Sequence, residues 1–133
     1  MIARGPFDVK LTPQSPTGDN PEPTLGRMLL VKSFHGDLEA TSTGEMLTAG
    51  TSTKGSAAYV AVERVTGTLH GRRGTFSLHH TGIMTRGVPD LSIHVVPDSG
   101  DGELAGISGT LAIQIEGGKH SYELTYDLPG ADG

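Results

Sequence analysis

Apolar and polar residues alternate along most of this chain. In TFSLHHTGIM, residues 75–84, Phe76 and Leu78 share one parity while Thr75, Ser77 and His79 share the other; KHSYELTYDL, residues 119–128, repeats the pattern with Tyr122, Leu124, Tyr126 and Leu128. Side chains leave an extended chain on alternate faces, so a period of two marks a strand with one buried face. No apolar repeat at helical spacing extends over eleven or more positions. The pattern predicts eight strands, at about residues 3–12, 25–35, 37–48, 57–70, 73–85, 90–97, 109–116 and 119–128.

The connections suit antiparallel neighbours. His35-Gly36-Asp37, Gly71-Arg72-Arg73-Gly74 and Glu116-Gly117-Gly118-Lys119 are short and glycine-bearing, as hairpin turns require. Longer loops are expected from Pro13 to Thr24, Ala49 to Ser56 and Pro97 to Gly109. No shift in composition divides the chain, so residues 1–133 are read as a single domain. Eight such strands joined in series predict an all-β fold, an eight-stranded antiparallel up-and-down barrel whose closure removes exposed edges.

Sorting each strand by parity assigns the interior. The more apolar set includes Phe7, Val9 and Leu11; Met28, Leu30, Lys32 and Phe34; Leu38, Ser42 and Met46; Tyr59, Glu63, Val65 and Leu69; Phe76, Leu78, His80 and Met84; Leu91, Ile93 and Val95; Leu111, Ile113 and Ile115; and His120, Tyr122, Leu124, Tyr126 and Leu128. Of the adjacent pair His79-His80, His80 therefore points inward and His79 outward.

An eight-stranded barrel is just wide enough to be filled by side chains or to hold one small ligand. The inward set mixes apolar walls with a few polar groups, the composition of a small-molecule site. The candidate ligand-binding residues are Lys32, Phe34, Met46, Tyr59, Glu63, Phe76, His80, Met84, His120, Tyr122 and Tyr126. An unpaired ion inside would be strongly disfavoured, so Lys32 and Glu63 are expected near each other or near the mouth. The competing reading makes those two a structural ion pair that plugs the interior, with the histidines and tyrosines as satisfied core groups.

Composition narrows the function classes. The 133 residues are enough for a packed core without covalent staples, and with no cysteine there is neither a disulfide nor a thiolate nucleophile. The 20 glycines and 8 prolines follow no period and indicate turns. A net charge of −5, with scattered basic residues, argues against nucleic acid as a partner. No segment has the length and apolarity of a signal peptide or a membrane span, so a cytoplasmic protein without a membrane partner is expected.

Candidate motifs for chemistry fall short of their requirements. PDSGDGELAG spaces Asp98 and Asp101 wrongly for a calcium loop and precedes a strand where a dinucleotide loop needs a helix. In GTSTKGS the lysine precedes its glycine and no helix follows. No serine stands in a Gly-x-Ser-x-Gly context. The six histidines offer no i, i+2 pair for a metal, leaving only a cross-strand His80–His120 arrangement; no metal and no cofactor are expected. Tyr122 and Tyr126, on the same parity as His120, could line one end of a cavity.

The stretch AYVAVERVTGTLHGRRGTFSLHHTGIM, followed by SGDGELAGISGTLAI and GGKHSYELTYDL, resembles the bacterial family catalogued as domain of unknown function 3224. GPFDVKLTPQ and KSFHGDLEATSTGEML sit in the same order, so the resemblance covers most of the chain. It implies an allene oxide cyclase-like β-barrel, and no activity, since that family is uncharacterised. It also favours His80 over His79 as the interior member, because the family commonly has a residue such as glutamine at the first position.

Three functions stay open: binding a small apolar molecule inside the barrel, a cyclase or isomerase acting on a hydrophobic substrate, and a structural or interaction barrel with a filled interior. The last would use Leu29, Val31, Val60 and Val62, which sort to the outside and would suit a homo-oligomer.

Overall fold

The structure, a computed structural model, describes residues 1–14 and 24–130. The strands are β1 (Ile2–Gln14), β2 (Leu25–Phe34), β3 (Leu38–Gly50), β4 (Ala57–Leu69), β5 (Arg72–Thr85), β6 (Val88–Val95), β7 (Asp101–Gly102), β8 (Ser108–Glu116) and β9 (Lys119–Asp127), with no helix among the described residues. Apart from the two-residue β7, each strand pairs antiparallel with its neighbour, in the order β4-β3-β2-β1-β9-β8-β6-β5. Pairing of β4 with β5, from Ala57↔Met84 to Leu69↔Arg72, closes the ring. The eight expected strands and their up-and-down order are therefore those of the protein. Most of the loop expected between Pro13 and Thr24 lies outside the described residues.

Two-residue turns connect several strands, and their backbone explains the residues found there. His70 and Gly71 have φ of 48° and 81°, and Gly117 and Gly118 have 56° and 79°. Positive φ at both central positions matches the twist of the flanking strands, and glycine tolerates it without steric strain. The β4–β5 turn is thus His70-Gly71, two residues earlier than the expected Gly71 to Gly74 turn. Arg72 and Gly74 already lie in β5.

The barrel has two unlike ends. At the end carrying His35–Asp37 and His70–Gly71, Leu38, Leu69, Phe76, Leu104, Ile107 and Tyr126 are all buried in one apolar cluster. Leu104 and Ile107 come from the Pro97–Gly109 segment, which the sequence reading gives as a longer loop and leaves out of the inward-facing set. Instead it caps this end, and Leu104 sits against Gly74, where an added Cβ would come within 3.1 Å of its side chain. Asp101 holds the loop in place by accepting hydrogen bonds from the Thr75 amide (3.0 Å) and hydroxyl (2.5 Å). Its carboxylate also faces Arg64 at 3.3 Å.

Tyr122 fastens the same end. Its hydroxyl donates to the His35 carbonyl at 2.7 Å and accepts from the Leu38 amide at 2.8 Å, pinning the β2–β3 turn. Its ring meets Phe34 edge-on, with centroids 5.4 Å apart. Tyr122→Phe preserves the packing and leaves those backbone groups short of a partner. It is expected to lower unfolding free energy by about 1–3 kcal/mol, read from urea denaturation. A loss indistinguishable from zero would mean that water replaces the hydroxyl.

Candidate functional site

Halfway along the barrel axis the interior turns polar. Lys32 of β2, Ser42 of β3, Glu63 of β4 and His80 of β5 are brought together by register, with Lys32 opposite Ser42, Glu63 opposite Gly44 and His80 opposite Ala61. The small residues matter. A Cβ at Gly44 would come within 2.8 Å of the Glu63 Cβ, so glycine is what lets β3 and the Glu63 side chain lie this close.

Glu63 is the hub. Its Oε2 accepts from Lys32 Nζ at 2.9 Å and from His80 Nε2 at 2.5 Å, and its Oε1 accepts from Ser42 Oγ at 2.8 Å. The side chains of Lys32, Glu63 and His80 are 5%, 0% and 4% exposed. Burial pushes the Glu63 carboxyl pKa up, but the His80 hydrogen bond and the Lys32 charge outweigh it, and the net effect lowers it from 4.5 to about 2. Glu63 is therefore an anion at neutral pH. Because an ionised carboxylate only accepts, the proton of a neutral His80 ring is assigned to Nε2. The Lys32 ammonium also lies 5.4 Å and 5.8 Å from the ring centroids of Phe7 and Phe34, a favourable cation–π placement.

Tyr59 roofs this cluster on the side away from the capped end. It pairs with Gly82 across β4 and β5, and a Cβ on Gly82 would lie 2.2 Å from the Tyr59 ring. Glycine thus clears the surface on which the phenol ring rests. The ring centroid is 6.4 Å from that of His80.

Beyond Tyr59 the barrel opens into a cleft of about 400 Å³, lined by Met46, Thr48, Tyr59, Ile83, Met84, Pro89, Asp90, Leu91 and Ile115 with neighbouring small residues. Its position follows from the strand pairing. β6 and β8 pair only at His94↔Thr110, whereas β8 and β9 pair from Ser108↔Asp127 to Glu116↔Lys119. Towards the Pro89 and Ile115 ends the β6–β8 seam carries no pairing, and the cleft lies there.

Ten of the eleven candidate residues therefore separate into three groups. Met46, Tyr59 and Met84 line the cleft, and Lys32, Glu63 and His80 form the ionic cluster beneath it. Phe34, Phe76, Tyr122 and Tyr126 lie inside the barrel, as parity expects, but in the packed core and away from the cleft. Tyr126 contacts the His70 ring at the capped end through its hydroxyl. His120 is half-buried against Phe7, with centroids 5.3 Å apart, and so has a different neighbour from His80. Leu91, Pro89 and Ile115 are cleft residues absent from the candidate set. Parity had placed Leu91 and Ile115 inside, but the gap in the β6–β8 seam that makes them functional candidates has no local sequence signal. Leu29, Val31, Val60 and Val62 are exposed on the outer wall.

The protein family described as "Protein of unknown function (DUF3224)" matches residues 3–126. The chain belongs to this family. A crystal structure of a DUF3224 protein of unknown function from Shewanella oneidensis MR-1 is 52% identical, with 96% of each chain covered and a TM-score of 0.90. No curated protein matches the chain. Every residue of the ionic cluster and of the cleft lies within the DUF3224 match.

Proposed function

We propose that this DUF3224 protein binds a small, largely apolar molecule in the cleft above Tyr59. One observation carries the reading: the barrel interior is interrupted by a saturated ionic cluster, yet the space beyond it is left open and walled by Met46, Met84, Leu91 and Ile115. A cleft of about 400 Å³ falls in the size range of small-molecule sites. In this reading the ionic cluster is the plug and the cleft the pocket, at different levels of one barrel.

A cyclase or isomerase needs Glu63 or His80 against its substrate. Both lie beneath Tyr59, and both carboxylate oxygens of Glu63 are already engaged, so the geometry favours binding over turnover.

Titration with the uncharged fluorophore N-phenylnaphthylamine tests the reading. Saturable fluorescence enhancement is expected, weakened at least about tenfold in both Leu91→Glu and Met84→Glu, because each would place a carboxylate in an apolar wall. Both positions are exposed at the rim, so the fold tolerates the change. Unsaturable enhancement, or saturable binding unaffected by either substitution, would remove the cleft as the site.

A further inference from the structure

The polar inventory of the cleft specifies the chemistry of its occupant, an inference that rests on the cleft being the binding site. Among the described residues no lysine, arginine or histidine lines it, and its one carboxylate is Asp90, at the rim. Directly below, the Lys32 ammonium faces the Glu63 carboxylate and Phe rings, so the buried cation is already matched by an anion. An anionic head group entering the cleft would meet Asp90 and find no free cation.

Of the two hydroxyl side chains in the lining, Thr48 and Tyr59, Tyr59 is the one at the floor, over the ionic cluster. Among the described residues its hydroxyl makes no hydrogen bond, and no buried side-chain nitrogen or oxygen lacks a partner, so this hydroxyl must reach accessible space. Burial, and secondly the Glu63 charge, raise the phenol pKa above 10.0. At neutral pH it remains an O–H, able to donate.

We infer that the cleft selects an uncharged apolar molecule bearing one hydrogen-bond acceptor, such as a ketone or ester carbonyl, which receives the Tyr59 hydroxyl proton as a hydrogen bond while its chain packs on Met46, Met84, Leu91 and Ile115. A carboxylate is excluded by the missing cation. An alkane fits the walls but leaves the phenol without a partner, and a hydrogen bond that fails to form in a desolvated site is the larger determinant of selectivity.

Displacement of N-phenylnaphthylamine by four ten-carbon competitors tests this: methyl octyl ketone, decane, decanoate and decylamine. Methyl octyl ketone is expected to bind about tenfold more tightly than decanoate and about fivefold more tightly than decane. Tyr59→Phe is expected to remove the advantage over decane while leaving decane affinity within about twofold. Asp90→Asn, an exposed change without bearing on the fold, is expected to improve decanoate binding about two- to threefold. Decanoate or decylamine equal to or tighter than the ketone would overturn the inference, as would an undiminished ketone preference in Tyr59→Phe. Failure of the fluorophore to bind saturably would overturn the cleft reading itself, which separates the two.

Discussion

Replacing Glu63 by alanine is expected to destabilise the protein by about 3–5 kcal/mol, because it strands the Lys32 ammonium in the barrel interior. That is a large part of the 5–15 kcal/mol by which domains typically hold together. Lys32 is 5% exposed and its cation is bracketed by Phe7 and Phe34, so no short path to water compensates for the lost carboxylate. Ser42 and His80 lose their acceptor as well. The double substitution Lys32→Met with Glu63→Leu separates these contributions. It leaves the same two donors without Glu63 but removes the stranded charge, and is expected to recover at least about 2 kcal/mol relative to Glu63→Ala in urea unfolding. A double variant no more stable than the single one would show that Lys32 escapes to solvent when unpaired.

Acid should unfold the protein partly through the same group. Folding lowers the Glu63 pKa from 4.5 to about 2, so the folded state holds this proton less tightly than the unfolded chain does. Its contribution is fully present above about pH 5 and is lost as pH falls through 4.5 towards 2; by linkage it amounts to something on the order of 3 kcal/mol. In the Lys32→Met, Glu63→Leu variant the slope of unfolding free energy against pH over that window is expected to flatten by about one proton. Equal slopes in the two proteins would mean that Glu63 titrates normally.

Most of the barrel was legible because one buried face imposes strict alternation. A one-residue slip would have turned Glu63 and His80 outward and Val62 and His79 inward, and the apolar majority in each strand forbids it. The same parity placed Lys32 and Glu63 inside, and the need to match charges in an apolar interior put them together. What alternation lacks is the axial coordinate. Phe34 and Met46 share an inward parity, yet one is packed at the capped end and the other lines the cleft, because depth depends on register and shear across several strands. Leu104 and Ile107 escaped notice because they sit in an irregular loop, where two apolar residues in a glycine-rich segment were the only signal. The gap between β6 and β8 is a property of the pairing between the two strands, which the alternation within either one does not report.

Methyl-resolved NMR of the protein titrated with methyl octyl ketone tests binding in the cleft. Saturable shifts are predicted at Met46, Met84, Leu91 and Ile115, fading at Leu78 and absent at Leu69 and Leu104 beyond the ionic cluster. Shifts centred on Leu69 and Leu104, or on the outer-wall residues Val60 and Val62 with the cleft methyls unmoved, would contradict it.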